Sequence, residues 1–247
     1  MSKYLRPTAL RDVRTHYCAG CGHGIIHRMI AELLDELGVR ENAIGIAPVG
    51  CAILAHEYLR IDMTEAPHGR APAVATGIKR IHPDKLVICY QGDGDLAAIG
   101  TGETIHTAAR GENISVIFVN NAVYGMTGGQ MAPTTMVKQL TQTTPKGRDS
   151  AVHGYPIRVC ELLSALDGPV YIERTCLSNP ANVRKARRAI LKSFKCQLDG
   201  RGYSLVEILS PCPTYWRLPP NQALKFIDEQ MTKVYPLGVF RDFEKKG

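Results

Sequence analysis

The sequence predicts an α/β fold, a mostly parallel sheet covered by helices on both faces, and three observations carry the expectation. Strand-like and helix-like patterns alternate along the 247 residues. The strand-like runs are apolar without a polar alternation, as strands buried on both faces are. Several of them run straight into unusual polar or glycine-rich segments, and in open α/β sheets sites gather beyond the carboxyl ends of the strands.

Each element has its own justification. Ile25 to Leu37 carries Ile25, Ile26, Met29, Ile30, Leu33, Leu34 and Leu37 at helical spacing and stops at Gly38. Ala43 to Val49 reads as a buried strand running into Gly50-Cys51. A helix starts near Pro72, with Val74, Ile78 and Ile81 expected to face inward. Leu86 to Tyr90 is a strand that ends in the turn GDGD, Thr101 to Arg110 a helix stopped by Gly111, and Ile114 to Val119 a strand delivering Asn120-Asn121. Gly125 to Ser150 is a long irregular stretch rich in Thr and Gly, and loops of that length are often functional. Tyr155 to Leu166 reads as a helix and Val170 to Cys176 as a strand. Asn179-Pro180, a cap followed by proline, opens a helix that ends near Gly200. Tyr203 to Leu209 is the last strand, running into SPCP, and a tail helix follows from about Asn221. No repeat or low-complexity linker divides the chain, so residues 1–247 are expected to form a single domain.

Composition narrows the function classes. Lys and Arg number 30 against 23 Asp and Glu, a formal net charge of +7. Six of the basic residues (Arg184, Lys185, Arg187, Arg188, Lys192 and Lys195) lie on one helix with no acid among them, which leaves the rest of the chain near balance. That is a local face, the kind that docks an acidic partner or is simply solvated, and it argues against a nucleic-acid binder. Aromatic residues make up 6%, with Trp216 the single tryptophan, too few for base-stacking platforms. The first residues carry no apolar core for a leader, and Ala43 to Ala55 is too short to span a bilayer and contains Pro48 and Gly50. A cytoplasmic protein without a membrane partner is expected. The eight cysteines are then read for metal or redox use.

Two groups of residues point to chemistry. Gly92 and Gly94 bracket Asp93 at a strand end, where glycine lets backbone approach a phosphate and Asp93 offers a hard oxygen suited to Mg²⁺. Asn120-Asn121, at the end of a parallel neighbour, could supply a side-chain oxygen and a backbone carbonyl to the same ion. Cys18 and Cys21 form a CxxC pair, a spacing used by zinc, iron–sulfur clusters and dithiols alike. Cys51 and Cys212 end strand-following turns on the same edge of the sheet. Cys89, Cys160 and Cys176 sit inside strands or a helix and read as buried thiols, while Cys196 belongs to the basic helix.

The pairing of GDG with NN resembles the thiamine diphosphate-binding motif. The run VNNAVYGMTGGQMAPTT is similar to the beta subunit of 2-oxoacid:ferredoxin oxidoreductases, and the resemblance extends from CAGCGHG through SPCP. It implies a thiamine diphosphate-binding fold with an N-terminal iron–sulfur loop and a C-terminal tail helix. It puts Mg²⁺ on Asp93, Asn121 and the Val123 carbonyl, and thiamine diphosphate against Gly50, His68, Arg70, Gly92, Gly94, Asp95, Tyr124, Gly125, Met126 and Thr127. It selects Cys18, Cys21, Cys51 and Cys212 over Cys196 as ligands of a [4Fe–4S] cluster, although zinc in the same thiolates stays open on chemistry alone. The activity implied is coenzyme A-dependent oxidative decarboxylation of a 2-oxoacid, with electrons passed to ferredoxin. The carboxylate that activates the cofactor is expected on a partner alpha subunit, and gamma and ferredoxin-like delta subunits are expected as separate chains. Some 2-oxoglutarate-using relatives carry a lysine in the turn that here reads Thr127-Gly128-Gly129-Gln130, so both 2-oxoglutarate and 2-oxoisovalerate stay open. A non-oxidative thiamine-dependent decarboxylase component, which would not need the four cysteines, and a zinc-stapled basic binding module are the competing readings.

Overall fold

The computed structural model describes residues 5–244. One seven-stranded sheet runs through it: β1 Ala43–Ala47, β2 Asp62–Glu65, β3 Leu86–Gly92, β4 Ser115–Asn120, β5 Tyr171–Cys176, β6 Ser204–Leu209 and β7 Gly238–Asp242. Their order is β2-β1-β3-β4-β6-β5-β7, all neighbours being parallel except β5 and β7. The helices are α1 His23–Leu37, α2 Ala55–Tyr58, α3 Ala71–Ile81, α4 Thr101–Ala109, α5 Ser150–His153, α6 Val159–Ser164, α7 Pro180–Leu198, α8 Pro213–Trp216, α9 Pro220–Phe226 and α10 Thr232–Val234.

Strand alternation sorts the core into two layers. Leu86, Ile88, Tyr90, Ile117 and Val119 face α1 and α7, whereas Val87, Cys89, Val116 and Phe118 face α3 and α6. α1 contributes Ile26, Ile30, Leu33 and Leu34, each 1% exposed or less, and burying such a side chain stabilises by about 1.5–3 kcal/mol. The helix stops where Gly38 turns left-handed at φ 65°, its N–H and that of Val39 closing on the carbonyls of Asp35 and Leu34. α7 starts where the Asn179 side chain accepts the Asn182 N–H at 3.0 Å, with Pro180 following as the first helical residue. A third apolar cluster packs the tail helices, through Ile227, Met231 and Tyr235, against Ala122, Met136 and Leu209.

Several expectations are corrected. α3 buries Ala71, Ala75 and Lys79, while Ile81 is 75% exposed; the small alanines let the helix lie close on the sheet, which turns the stripe away from Ile81. The helix expected over Tyr155 to Leu166 is confined to α6, and β1 ends at Ala47, before Pro48. The tail helix does follow, from Pro220, and widens into a π turn at Ile227–Met231. β2 and β7 went unpredicted: both are edge strands, half-exposed and polar, without the apolar run that marks a buried strand. The basic face of α7 is smaller than its sequence suggests, since Arg187 pairs with Glu32 and Glu36, and Lys192 with Asp242 and Glu244.

Parallel strands put their carboxyl ends on one edge. Gly92 is in register with Val119, and Asn120 with Leu209, so the turns after β3, β4 and β6 lie side by side. The turn after β1 joins them through the β1–β3 pairing.

Candidate cofactor and metal site

A cavity of about 320 Å³ opens at that edge. Its wall is built from the turn after β1 (Pro48, Val49, Gly50, Cys51, Ala52) and the turn after β3 (Gly92, Asp93, Gly94, Asp95, Ala98, Ile99). Asn121, Val123, Tyr124, Gly125, Met126 and Thr127 follow from β4, with His23 and His68 closing it. Asp93 is 3% exposed, and its carboxylate accepts the Asn121 N–H at 3.0 Å, the Ala122 N–H at 2.8 Å and the Thr134 hydroxyl. Burial pushes its carboxyl up to about 7 despite those donors, which pull it down. A divalent cation beside it would favour the ionised form of such a carboxylate. Ala122 sits left-handed at φ 58°, a conformation that costs a non-glycine residue about 1 kcal/mol or more. It is held there because its N–H also donates to the Asn120 side chain at 3.1 Å. The strained turn faces Asn121 and Val123 toward the cavity and lets Trp216 donate its indole N–H to the Asn121 carbonyl at 3.0 Å.

A second, smaller pocket of about 60 Å³ shares His23, Cys51 and Asn121 with the first. Cys18, Cys21, Cys51 and Cys212 all line it. Among the described residues no three His, Cys, Asp or Glu side chains are closed to the spacing that grips a metal ion, so what the fold provides is the convergence of four thiols. Burial pushes Cys51 up to about 11 and Cys212 up to about 12, and neighbouring thiols add to each shift. Metal coordination would remove those protons outright. Glycines permit the convergence. A Cβ at Gly22 would meet the side chains of Ser210 and Leu177, pressing the CxxC loop away from the turn after β6. A Cβ at Gly125 would stand 3.0 Å from the Cys51 sulfur and 3.8 Å from that of Cys212.

Comparison with known proteins bears on the fold that carries these pockets. Residues 49–208 match the thiamine pyrophosphate enzyme family's C-terminal TPP-binding domain. The chain is 53% identical over 247 residues to the ketoisovalerate oxidoreductase subunit VorA of Methanothermobacter thermautotrophicus, covering 96% of this chain and 52% of that protein. It is 34% identical over 233 residues to the 2-oxoglutarate synthase subunit KorB of Methanocaldococcus jannaschii, covering 92% of this chain and 81% of that one. The chain belongs to the 2-oxoacid:ferredoxin oxidoreductase family. It corresponds there to the subunit that carries the thiamine pyrophosphate-binding domain. The fold agrees. A 2-oxoglutarate:ferredoxin oxidoreductase from Magnetococcus marinus, solved with 2-oxoglutarate, coenzyme A and succinyl-CoA bound, superposes with a TM-score of 0.77 at 25% identity, over 99% of this chain and 87% of that one. The chain spans about half the length of the VorA relatives that it matches.

In this family member the cavity gathers Gly50, His68, Gly92, Asp93, Gly94, Asp95, Asn121, Val123, Tyr124, Gly125, Met126 and Thr127. Arg70 stands apart: it immediately precedes α3 without a side-chain capping bond, pairs with Glu103 of α4 and is absent from the cavity wall. Cys196 lies on the buried side of α7 at 0% exposure, and Cys89, Cys160 and Cys176 are buried too, Cys160 donating to Glu207 at 3.0 Å.

Sequence reasoning missed the residues that hold the site from behind. Thr134 grips Asp93, and Thr135 donates to the Ala122 carbonyl at 2.7 Å. Both belong to the long polar loop, which Arg148 organises: its guanidinium, 4% exposed, donates to the carbonyls of Ala132, Pro133, Thr135, His153, Gly154 and Tyr155. Asn120 is in turn held by the buried Glu207 at 2.7 Å, itself paired with Arg174 at 2.8 Å. His23 and His27, one helical turn apart, pack among Tyr17, Tyr58 and Tyr90, with the His23 Nδ1 2.7 Å from the Tyr90 hydroxyl. A conspicuous loop length was the only local signal for the threonines.

Proposed function

We propose that this chain binds thiamine diphosphate through Mg²⁺ in the larger cavity and a [4Fe–4S] cluster in the smaller pocket. It thereby serves CoA-dependent oxidative decarboxylation of an aliphatic 2-oxoacid such as 2-oxoisovalerate. The observation that carries the reading is the shared wall: His23, Cys51 and Asn121 belong both to the cavity built from the GDG and NN turns and to the four-cysteine pocket. When bound, thiamine diphosphate supplies the nucleophilic carbon and electron sink for decarboxylation, and a cluster beside it supplies an outlet for the electrons.

The chain's own residues do the rest. Asp93, Asn121 and the Val123 carbonyl would hold the ion, with Gly92, Gly94, Tyr124, Gly125, Met126 and Thr127 against the diphosphate and Cys18, Cys21, Cys51 and Cys212 on the cluster. Asp93 and Asp95 are the carboxylates on the cavity wall, and both are already engaged by several donors. The activating carboxylate is therefore assigned to an alpha subunit, with gamma and ferredoxin-like delta subunits and ferredoxin as the further partners. An aliphatic substrate is supported by the wall itself: Ala98, Ile99, Val123 and Met126 line it, and no Lys or Arg does among the described residues. A dicarboxylate tail would be buried there without a partner. The name and 53% identity of the VorA relative point the same way.

The test is anaerobic purification of the assembled complex, followed by metal analysis and a panel of 2-oxoacids. About four irons per chain and a brown colour are expected, as a cubane cluster requires. The kcat/KM for 2-oxoisovalerate should exceed that for 2-oxoglutarate by roughly 10-fold or more, the cost of an unpaired buried carboxylate. A colourless protein with zinc in those cysteines would overturn the reading, and a reversed substrate order would overturn its substrate.

A further inference from the structure

A buried ion pair lies behind the turn that follows β4. Arg174 of β5 and Glu207 of β6 stand in register, and the Arg174 Nε–H donates to Glu207 Oε2 at 2.8 Å. Glu207 is also in register with Phe118, so Asn120, two residues further along β4, projects from the same face and within its reach. The Asn120 side-chain amide donates to Glu207 Oε1 at 2.7 Å, and the Cys160 thiol donates to Oε2 at 3.0 Å. A carboxylate only accepts, so Glu207 draws the Asn120 NH2 toward itself and leaves the Asn120 oxygen facing the turn. That oxygen accepts the Ala122 N–H at 3.1 Å, the same N–H that Asp93 accepts at 2.8 Å.

The arginine reaches the same turn by a second route. Its guanidinium carbon lies 5.4 Å from the centroid of the buried Tyr235 ring, whose hydroxyl donates to the Thr134 carbonyl. The Thr134 hydroxyl donates to Asp93. One route ends on the left-handed Ala122 and the other on the carboxylate beside it, and a left-handed alanine persists only where its surroundings over-determine it. Burying two charges costs enough that an apolar pair of similar volume often serves stability as well or better, and neither charge here lines the cavity. We propose that Arg174 and Glu207 are positioning residues for the turn that receives the metal and diphosphate. Glu207 fixes the Asn120 amide against Ala122, and Arg174 holds Glu207 and backs the Tyr235–Thr134 arm on Asp93. This rests on the cofactor reading above and extends it to residues that touch neither cofactor nor substrate. Glu161 of α6 accepts from Arg174 Nη1 and Nη2 at 3.0 and 2.5 Å and stands outside both routes. It keeps the cation paired when Glu207 is changed.

The experiment uses the assembled complex, stripped of thiamine diphosphate, as wild type, Glu207→Gln, Glu161→Gln and Tyr235→Phe. The affinity for thiamine diphosphate at saturating Mg²⁺ is measured by calorimetry, and amide exchange of the cofactor-free complex is followed by mass spectrometry. A glutamine at 207 has one oxygen, which Arg174 and Cys160 claim, so it presents NH2 to Asn120. The Asn120 amide must then turn over and set its own NH2 against the Ala122 N–H. Glu207→Gln should weaken thiamine diphosphate roughly 10- to 100-fold, the cost of a buried donor left unsatisfied. Exchange over residues 121–124 should quicken about 10-fold or more while that of α1 stays as in wild type, the mark of a local rather than a global loosening. Tyr235→Phe, which removes one hydroxyl, should weaken the cofactor about 3-fold or more, whereas Glu161→Gln should stay within about 3-fold of wild type. Wild-type affinity in Glu207→Gln overturns the proposal. Equal weakening in Glu161→Gln also overturns it, by making the loss one of general stability. If Glu207→Gln does not assemble, Tyr235→Phe decides, and wild-type affinity there overturns the proposal. A wild type that binds no thiamine diphosphate overturns the cofactor reading itself, a distinct result.

Discussion

His27 offers a sharp test of how the helix α1 layer is built. It is 1% exposed, its Nδ1 has no hydrogen-bond partner, and its Nε2 lies 3.4 Å from the Tyr17 hydroxyl. Burial, with a smaller contribution from His23, lowers its pKa to about 3. The unfolded chain takes up that proton near pH 6.5. The unfolded state therefore binds more protons between pH 6.5 and 3, and stability falls as the pH falls through that window. Each unit costs about 1.4 kcal/mol, so the drop to pH 5 removes about 2 kcal/mol on account of His27 alone. His23, lowered to about 4, acts in the same direction, while Asp93, raised to about 7, acts in the opposite one. A His27→Leu variant isolates the one group, because those other contributions are common to both proteins. Urea unfolding at pH 7 should find variant and wild type within about 1 kcal/mol, since an orphaned nitrogen and a long hydrogen bond leave together. At pH 5 the wild type should lose about 2 kcal/mol more than the variant, a gap of roughly 0.7 M or more in the urea midpoint. Parallel losses in the two proteins would refute a neutral, buried His27.

Three further outcomes follow from the same geometry. Cys212→Ser should abolish iron binding in anaerobically purified protein, while Cys196→Ser leaves the iron content intact and costs about 1–2 kcal/mol of stability from its core position; elemental analysis decides between them. Gly125→Ala sets a methyl group 3.0 Å from the Cys51 sulfur, so iron content should fall while the apo-protein's Tm stays within a few degrees of wild type. Arg148→Met strips the donors from six loop carbonyls and should cost about 3 kcal/mol or more, with thiamine diphosphate affinity falling in the folded fraction because Thr134 and Thr135 lose their support.

Much of the architecture was legible because buried parallel strands announce themselves. Leu86 to Tyr90 and Ile114 to Val119 are apolar on both faces, and the turns that follow them carry residues that ordinary turns do not need. The edge strands were not legible: Asp62–Glu65 and Gly238–Asp242 are polar and half-exposed, and their pairing partners rather than their own side chains make them strands. Arg70 shows the complementary difficulty. Its place beside His68 in the chain suggested a shared role, yet the two side chains diverge, one to Asp95 and the other to Glu103.

Local order along the chain was enough for the fold class, for the carboxylate and amide at neighbouring strand ends, and for the cysteines worth considering. Periodicity and turn chemistry are short-range properties, and those features are short-range. The three-dimensional arrangement alone joins the two pockets through His23, Cys51 and Asn121, and alone seats Thr134 on Asp93 across 41 residues of chain. It also decides that His68 faces the cavity with a buried acid behind it. Such contacts arise when parallel strands bring distant turns to one edge, and no residue in a turn records which turn will lie beside it.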